Sequence, residues 1–413
     1  MLRALFSSVA ALSGHQMMLD VIANNIANVN TTGFKSSSMT FQDMISQTIR
    51  PAQLPGGDRG AINPMQVGLG VIPGSISVDL TQGQLMSTDK TTDIAIQGNG
   101  LLIFRQGNGY TYSRDGSLSV DPEGYISNGS TGLKLQGWLA NDGVLDTHQQ
   151  ISDIQLPMTS MQISRLTSEI RCGGNLNAGA DPYNAGPPAT GGITSSTSVV
   201  YDSLGMAHPV DITFTKDVAA NSWSWSAVDE TSATVGSGTL IFDSNGSAVG
   251  ATGTITLNLT NGAQSPQAVT LNFGPIQQMY GDSEVLVAYQ DGAPPGSLQD
   301  FQIASDGTIT GTFSNGLTRI LGQIAMASFT NPSGLVREGN NLYYASTASG
   351  DPSIGEPASG DRGQLFAGML EMSNVDMARE FSQMIIAQRG FQANSRVVTA
   401  TDQILQELMS MKR

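Results

Sequence analysis

A single cysteine, Cys172, stands among 413 residues, which excludes an intrachain disulfide framework and any zinc site built from several thiolates. Charge is scarce as well. Asp, Glu, Lys and Arg make up 13% of the chain, against roughly 25% in an average domain. The shortage falls on the bases: 19 Lys and Arg face 34 Asp and Glu, for a net charge of −15. Such a chain has little with which to displace counterions from a phosphate backbone, so no nucleic-acid partner is expected. No run approaches the ~20 apolar residues of a membrane span, and no membrane insertion is expected. The N-terminal stretch MLRALFSSVAALSGHQMMLD has neither the compact apolar block nor the small-residue cleavage site of a secretory signal. The chain is therefore expected to stay in the cytosol or to leave the cell without a cleaved signal.

Chemistry-bearing motifs are missing too. The sequence has no G-x-x-x-x-G-K, G-x-G-x-x-G or H-E-x-x-H, and His15, His148 and His208 lie far apart. The acids Asp115, Asp121 and Glu123 do not follow the spacing of a calcium loop and read as hairpin turns. No catalytic site, metal or cofactor is expected. Cys172 reads as a small packed residue, with an oxidisable or cross-linking thiol as the alternative. Asn30-Thr31-Thr32 reads as helix-end and turn chemistry.

Helix breakers are absent from particular places. The first proline is Pro51 and the last is Pro357; of 48 glycines only Gly14 and Gly33 fall in the first 50 residues, and only Gly390 after residue 370. Both ends are free to form long helices while the middle is punctuated every few residues. Leu2, Leu5, Val9, Leu12, Gln16, Leu19, Ala23 and Ile26 alternate spacings of three and four, which is a heptad seam. The spacing predicts a helix over 2–29. The C-terminal segment predicts a helix of some 35 residues, with Ser373 or Asn374 as its cap and Asp376 in its first turn. Met377, Phe381, Met384, Ile385, Phe391, Val398, Leu405 and Leu408 are its apolar positions, and Lys412 and Arg413 sit where a helix end favours cations. Two long helices with narrow seams are expected to pair with each other and with neighbouring copies. Gly14 and Gly390 each weaken a helix by about 1 kcal/mol relative to Ala. They read as tolerated weakness, with close helix approach or a hinge as the alternative.

The body between the ends reads as strands. LLIFRQGNGYTYSRDGSLSVDPEGYISN has short apolar runs broken by Gly-Asn-Gly, Asp-Gly and Pro-Glu-Gly turns, and SWSWSAV, TLIFDSNG and TITLNLTNG continue the pattern. The stretch 173–196 reads as a long surface loop and 345–363 as a second loose one. The ends are near neutral: Arg3, Lys35 and Arg50 face Asp20 and Asp43 over the first 50 residues, and five bases face five acids over 371–413. The net acidity lies in the body.

The segment IANNIANVNTTGFKSSSMTFQDMIS resembles the N-terminal signature of bacterial flagellar rod and hook proteins. Its matching residues are Ala23, Asn24, Asn25, Ala27, Asn28, Thr32, Gly33, Phe34 and Lys35. Asparagines compete for backbone hydrogen bonds and end a helix, and Gly33 permits the turn that follows. LEMSNVDMAREFSQMIIAQRGFQANSRVVTATDQILQEL is similar to the family's C-terminal helix, and YSRDGSLSVDPEGYI resembles a strand-and-turn segment of its β-domain. The extra length over about 146–287, with YDSLGMAHPVDITF and Asn175-Leu176-Asn177, resembles hook rather than rod members.

The resemblance implies a mainly β chain with α-helical coiled-coil termini. Two β-rich domains would be nested discontinuously on a bundle of N- and C-terminal helices. The expected domains are 1–30 with 371–413 as the helical inner part and 31–70 as an extended connection. A conserved β domain over 71–145 with 288–370 and an inserted outer β domain over 146–287 complete them. It further implies a non-catalytic subunit of a tubular helical polymer, a flexible coupling that carries motor torque between rod and filament. Its implied partners are copies of itself, rod and hook–filament junction proteins, a hook cap and the flagellar type III export apparatus. Leu2, Leu5, Val9, Leu12, Leu19 and Ile26, with Met377, Phe381, Met384, Phe391, Val398, Leu405 and Leu408, are the expected assembly contacts. The ends are expected to fold as they bury these seams against neighbours. A long distal rod protein and a secreted β-rich adhesin are the alternatives.

Overall fold

The computed structural model describes residues 2–52, 63–158, 162–186 and 190–411. A long helix forms at each end of the chain and strands fill most of the body. The chain divides into two compact units. The first comprises 1–156, 302–310 and 320–413; the second comprises 157–301 and 311–319.

In the first unit, α1 (Leu2–Ala27) and α2 (Met377–Met411) pack along each other. Helix α1 stops two residues short of its predicted end, where Asn24, Asn25 and Asn28 turn the chain. The cap of α2 is Asp376: its Oδ1 accepts from Ala378 N at 2.9 Å and Arg379 N at 3.3 Å. Ser373 and Asn374, the residues expected to cap it, hold the chain just before the helix instead. Lys412 and Arg413 lie outside the described residues.

Strands from 31–70, the expected extended connection, make antiparallel pairings, one of them with a strand beyond it. Strand β1 (Ser37–Asp43) pairs with β4 (Val71–Val78), and β2 (Ser46–Arg50) pairs with β3 (Met65–Gly68). The signal was present in SSMTFQD, which alternates polar and larger side chains as a strand does, but the prolines and glycines of 51–64 obscured it. The body of the unit is built on Leu101–Gln106, which forms a two-residue hairpin with Gly109–Ser113 and also pairs with Lys134–Leu139 and Met326–Ser328. Leu102 and Phe104 are buried on one face, Leu101 and Ile103 on the other. On the latter side Tyr112, Trp138, Phe329, Leu335 and Tyr343 complete the core. Two short pairings, Gln364–Ala367 with Ile94–Gln97 and Met369–Glu371 with Leu85–Ser87, bring the chain to the start of α2.

The second unit has two five-stranded sheets. One is an antiparallel meander of Ile193–Tyr201, Ala207–Lys216, Ser222–Asp229, Thr234–Phe242 and Ala248–Val249. The other centres on Glu169–Asn177, paired in parallel with Gln267–Asn272 and Ile276–Met279 and antiparallel with Glu284–Gln290. In SWSWSAV the period-two pattern sends Trp223, Trp225 and Ala227 inward. Phe273 meets Phe214 edge-on at 5.6 Å and Trp225 at 5.3 Å, so one ring joins the two sheets' side chains in a common core. The loop expected over 173–196 is shorter, since 173–177 and 193–196 belong to strands.

Cys172 is a fully buried member of that core, and burial pushes its thiol from the ordinary 9.0 up to about 11. In the native chain iodoacetamide at pH 7.5 should therefore label Cys172 only on the timescale of unfolding, and at once in denaturant. The folded state keeps a proton that the unfolded state loses, so this thiol's contribution to stability is full below pH 9 and declines toward pH 11. A denaturation midpoint that holds steady across that window in native chain and Cys172→Ala alike would contradict the assignment.

Candidate functional site

The residues of the Asn-rich signature converge where α1 ends. Asn28 Nδ2 donates to Asn24 O at 2.9 Å and Asn24 Oδ1 at 2.7 Å, and Thr31 Oγ1 donates to Asn28 Oδ1 at 3.2 Å. These side chains take over hydrogen bonding that another helical turn would have supplied. Gly33 then adopts a φ of 68°, and a Cβ there would lie 2.7 Å from Asp115 N. Only glycine combines that left-handed backbone with that approach. Its own N donates to Glu371 O at 2.8 Å, and Thr32 Oγ1 donates to Asp115 Oδ1 at 3.2 Å.

Asn25, 1% exposed, grips the returning chain at both of its backbone groups: Nδ2 donates to Ser37 O at 2.8 Å and Oδ1 accepts from Ser37 N at 2.9 Å. Asn374 ties the same segment to a second one. Its Oδ1 accepts from Ser36 N at 2.8 Å and its Nδ2 donates to Asp79 O at 2.8 Å. The last residues after α1 and the last before α2 are thus bound to one another, so the two helices leave a common junction.

At the centre of the junction is a buried ionic cluster. Glu371 Oε1 accepts from Lys35 Nζ at 2.6 Å and from Gly83 N at 2.8 Å; Oε2 accepts from Arg114 Nη1 at 3.1 Å. The Lys35 and Glu371 side chains have no solvent exposure and Arg114 has 4%. Two cations share one carboxylate. Backbone carbonyls supply the remaining negative potential: Thr81 O accepts from Lys35 Nζ at 2.6 Å, and Gly98 O accepts from Arg114 Nη2 at 2.5 Å. Burial pulls Lys35 and Arg114 below their ordinary values, and the Glu371 charge opposes that pull. Arg337 donates to Lys35 O and lies 5.0 Å above the Phe34 ring.

From this junction the helices run antiparallel. His15, twelve residues before the last residue of α1, touches Gly390, thirteen after the first of α2. The inner line of α1 holds Ser8, His15, Ile22 and Asn25; that of α2 holds Glu380, Ala387, Gly390, Asn394 and Thr401. Of the predicted seam, Leu5, Leu12, Leu19 and Ile26 border that line half-buried, while Val9 is exposed; the Leu2 side chain lies outside the described residues. On α2, Met384, Val398 and Leu405 are half-buried, and Met377, Phe381, Phe391 and Leu408 are exposed. Within the signature, Asn25, Gly33, Phe34 and Lys35 are buried, Asn28 and Thr32 half-buried, and Ala23, Asn24 and Ala27 exposed.

Four family models cover most of the chain. Residues 6–35 match the model described as Flagella basal body rod protein, and 95–167 that of the Flagellar hook protein FlgE/F/G D1 domain. Residues 175–293 match the Flagellar basal body protein FlaE D2 domain, and 367–411 the Flagellar basal body rod FlgEFG protein C-terminal. The flagellar hook protein FlgE of Borreliella burgdorferi is 36% identical over 446 aligned residues, spanning 100% of both chains. The chain belongs to the flagellar hook protein family. The hook proteins of Treponema pallidum and Salmonella typhimurium are each 35% identical, over 100% and 98% of this chain and 100% and 99% of theirs. A hook protein is a structural subunit of the flagellar hook, and these full-length matches do not favour the rod alternative. Among the described residues no helix is long and apolar enough to cross a membrane.

Sequence reading of this hook protein located Lys35 but not its partners. Glu371, Arg114 and Arg337 come from distant positions, and only the fold assembles them. One signal was available: a lysine inside an otherwise uncharged signature needs an acid once buried. Glu371, next to the Ser-Asn-Val-Asp run, was the acid at hand.

Removing one partner of a buried pair typically costs ~3–5 kcal/mol. Lys35→Met and Glu371→Gln should each lower stability in that range, read from denaturant midpoints. Hydrogen exchange should show the loss concentrated at 33–37 and 369–380, with 193–242 unchanged. Uniform loss across the chain would show that the cluster does not act locally.

Proposed function

We propose that the chain is the non-catalytic repeating unit of a tubular helical polymer that serves as a flexible coupling between rod and filament. The observation that carries this reading is the unfinished packing of the helix pair. Ile386 on α2 is 65% exposed and Phe6 on α1 is 67% exposed, and Val9, Phe381, Ile385, Leu408 and Met409 are uncovered as well. Apolar surface of this extent on paired helices is stabilised when another apolar surface covers it. A neighbouring copy offers the same helices, at a chain end whose near-neutral charge raises no repulsion.

In this reading α1 and α2 line the inside of the tube. The junction at Lys35, Arg114 and Glu371 fixes how the helices meet their β-rich body. The acidic charge of the β-rich body faces solvent, where like charge keeps polymers apart. The heptad positions Leu5, Val9, Leu12, Leu19 and Ile26, with Phe381, Phe391 and Leu408, are the contacts between copies. Export through the flagellar type III apparatus, and contacts with a cap, the rod and junction proteins, follow from the same role.

Purified chain should form curved, supple tubes in solution, seen by electron microscopy. Truncation of 1–25 or of 375–413 should abolish them, and Val9→Asp or Phe381→Asp should raise the critical concentration by about tenfold or more, a change equal to ~1.4 kcal/mol per contact. The ends should be cut by protease in free chain and protected in tubes. Tubes that survive both truncations would sink the proposal, and straight rigid rods would return it to the rod alternative.

A further inference from the structure

The two helical glycines do not behave as tolerated weaknesses. A Cβ on Gly390 would lie 2.6 Å from both Cε1 and Nε2 of His15, closer than a carbon can come. A Cβ on Gly14 would lie 2.8 Å from Cε1 of Phe41, the ring that β1 sends onto α1. The His15 and Phe41 rings meet at 5.5 Å with their planes tilted by 56°. The three elements therefore interlock: the Phe41 ring fills the gap at Gly14, the His15 ring fills the gap at Gly390, and each ring blocks the other's retreat.

The rest of the inner seam offers little to fix the helices lengthwise. Apart from Ile22 and Glu380 near the junction, the inner line of Ser8, Ala387, Asn394 and Thr401 is small or flexible, and small side chains resist a slip of one turn less than large ones do. His15 is the exception. Moving it one turn along α2 places it against Ala387 or Asn394, and both carry the Cβ that the present spacing excludes. With His15 against Gly390 in an antiparallel pair, equal steps along the two helices bring Asn25 level with Glu380, Ile22 with Gln383 and Met18 with Ala387. Phe6 and Val9 then stand level with Val397, which is also exposed.

We propose that His15 and Gly390 are positioning residues that keep the register of the helix pair beyond the junction, with Phe41 and Gly14 holding the His15 ring in place. Through that register they decide which apolar residues of α1 and α2 stand side by side on the surface presented to another copy. This last step rests on the subunit reading above; the register itself does not.

Cysteine pairs in the full chain test it, read as intrachain disulfides on non-reducing gels, in free chain and in tubes. Met18→Cys with Ala387→Cys reports the observed register, and Met18→Cys with Met384→Cys or Phe391→Cys reports a slip of one turn either way. Cys172 stays in place, since it is buried. The 18–387 pair should dominate in the otherwise native chain. Gly390→Leu should lower its yield by about tenfold, in line with the usual cost of overpacking a close contact. His15→Ala with Gly390→Leu, which exchanges the large and small partners, should restore it.

His15→Ala alone should raise both slipped pairs while circular dichroism shows the helices intact. That arm decides the matter if Gly390→Leu separates the helices altogether. The proposal is overturned if Gly390→Leu keeps the 18–387 yield, if the exchanged pair fails to restore it, if His15→Ala leaves the slipped pairs as rare as before, or if the 18–387 pair forms in neither free chain nor tubes. Cross-links that follow the expected pattern in a chain that never forms tubes would refute the subunit reading and leave the register assignment standing.

Discussion

A single carboxylate, that of Glu371, holds the helical part of this protein to its β-rich part. It binds Lys35 from the segment leaving α1, Arg114 from the central sheet region and Gly83 N from the strand side, while its backbone oxygen takes Gly33 N. Three stretches separate in sequence, 33–35, Gly83 and Arg114, meet at one residue with no access to water. Transferring three charges into such a place is expensive, and a well-packed apolar cluster could stabilise the fold as well or better. What the charges add is direction. Each bond has a required length and angle, so the departure of α1 and the start of α2 are fixed relative to the sheet.

The helices themselves are weakly self-sufficient. Their shared seam contains serine, asparagine, threonine and alanine beside Ile22 where a stable two-helix coil would place leucines throughout, and many of their large apolar side chains are exposed. A pair built this way is firm at its root and underpacked along its length. Phe6, Ile386 and Met409 stand uncovered on its outer faces. The second unit is the opposite case, with two sheets closed around Trp223, Trp225 and Phe273 and a core that needs nothing from outside.

Much of this was legible from residue order. Missing prolines and glycines marked both helices to within a few residues, because helix breaking is a local property. The strands of SWSWSAV and LLIFRQ were legible for the same reason, their periods of two and their turns being local. The heptad count was less informative about the inner seam. A strict three-four alternation identifies apolar positions but not which neighbour each one faces, so Leu12 and Leu19 border the seam while Ser8 and Ile22 lie in it. The ionic junction was only hinted at, by a lysine in an uncharged signature, because Lys35 and Glu371 lie 336 residues apart. For Gly390 residue order left tolerated weakness and close helix approach both open, because a glycine's reason lies in the side chain across from it.

Antiparallel pairing puts the junction at one pole of the helices and their far ends, near Leu2 and residue 403, at the other. Mechanical force is felt very differently at these two poles. Pulling the far ends apart opens the pair like a zipper, one contact after another, at low force. Tension directed along the helices into the β-rich body meets the Asn25, Asn374, Lys35 and Arg114 bonds together, as in a sheared joint where all must fail at once. The same few side chains thus leave the helix tips easy to rearrange and the root resistant to twist.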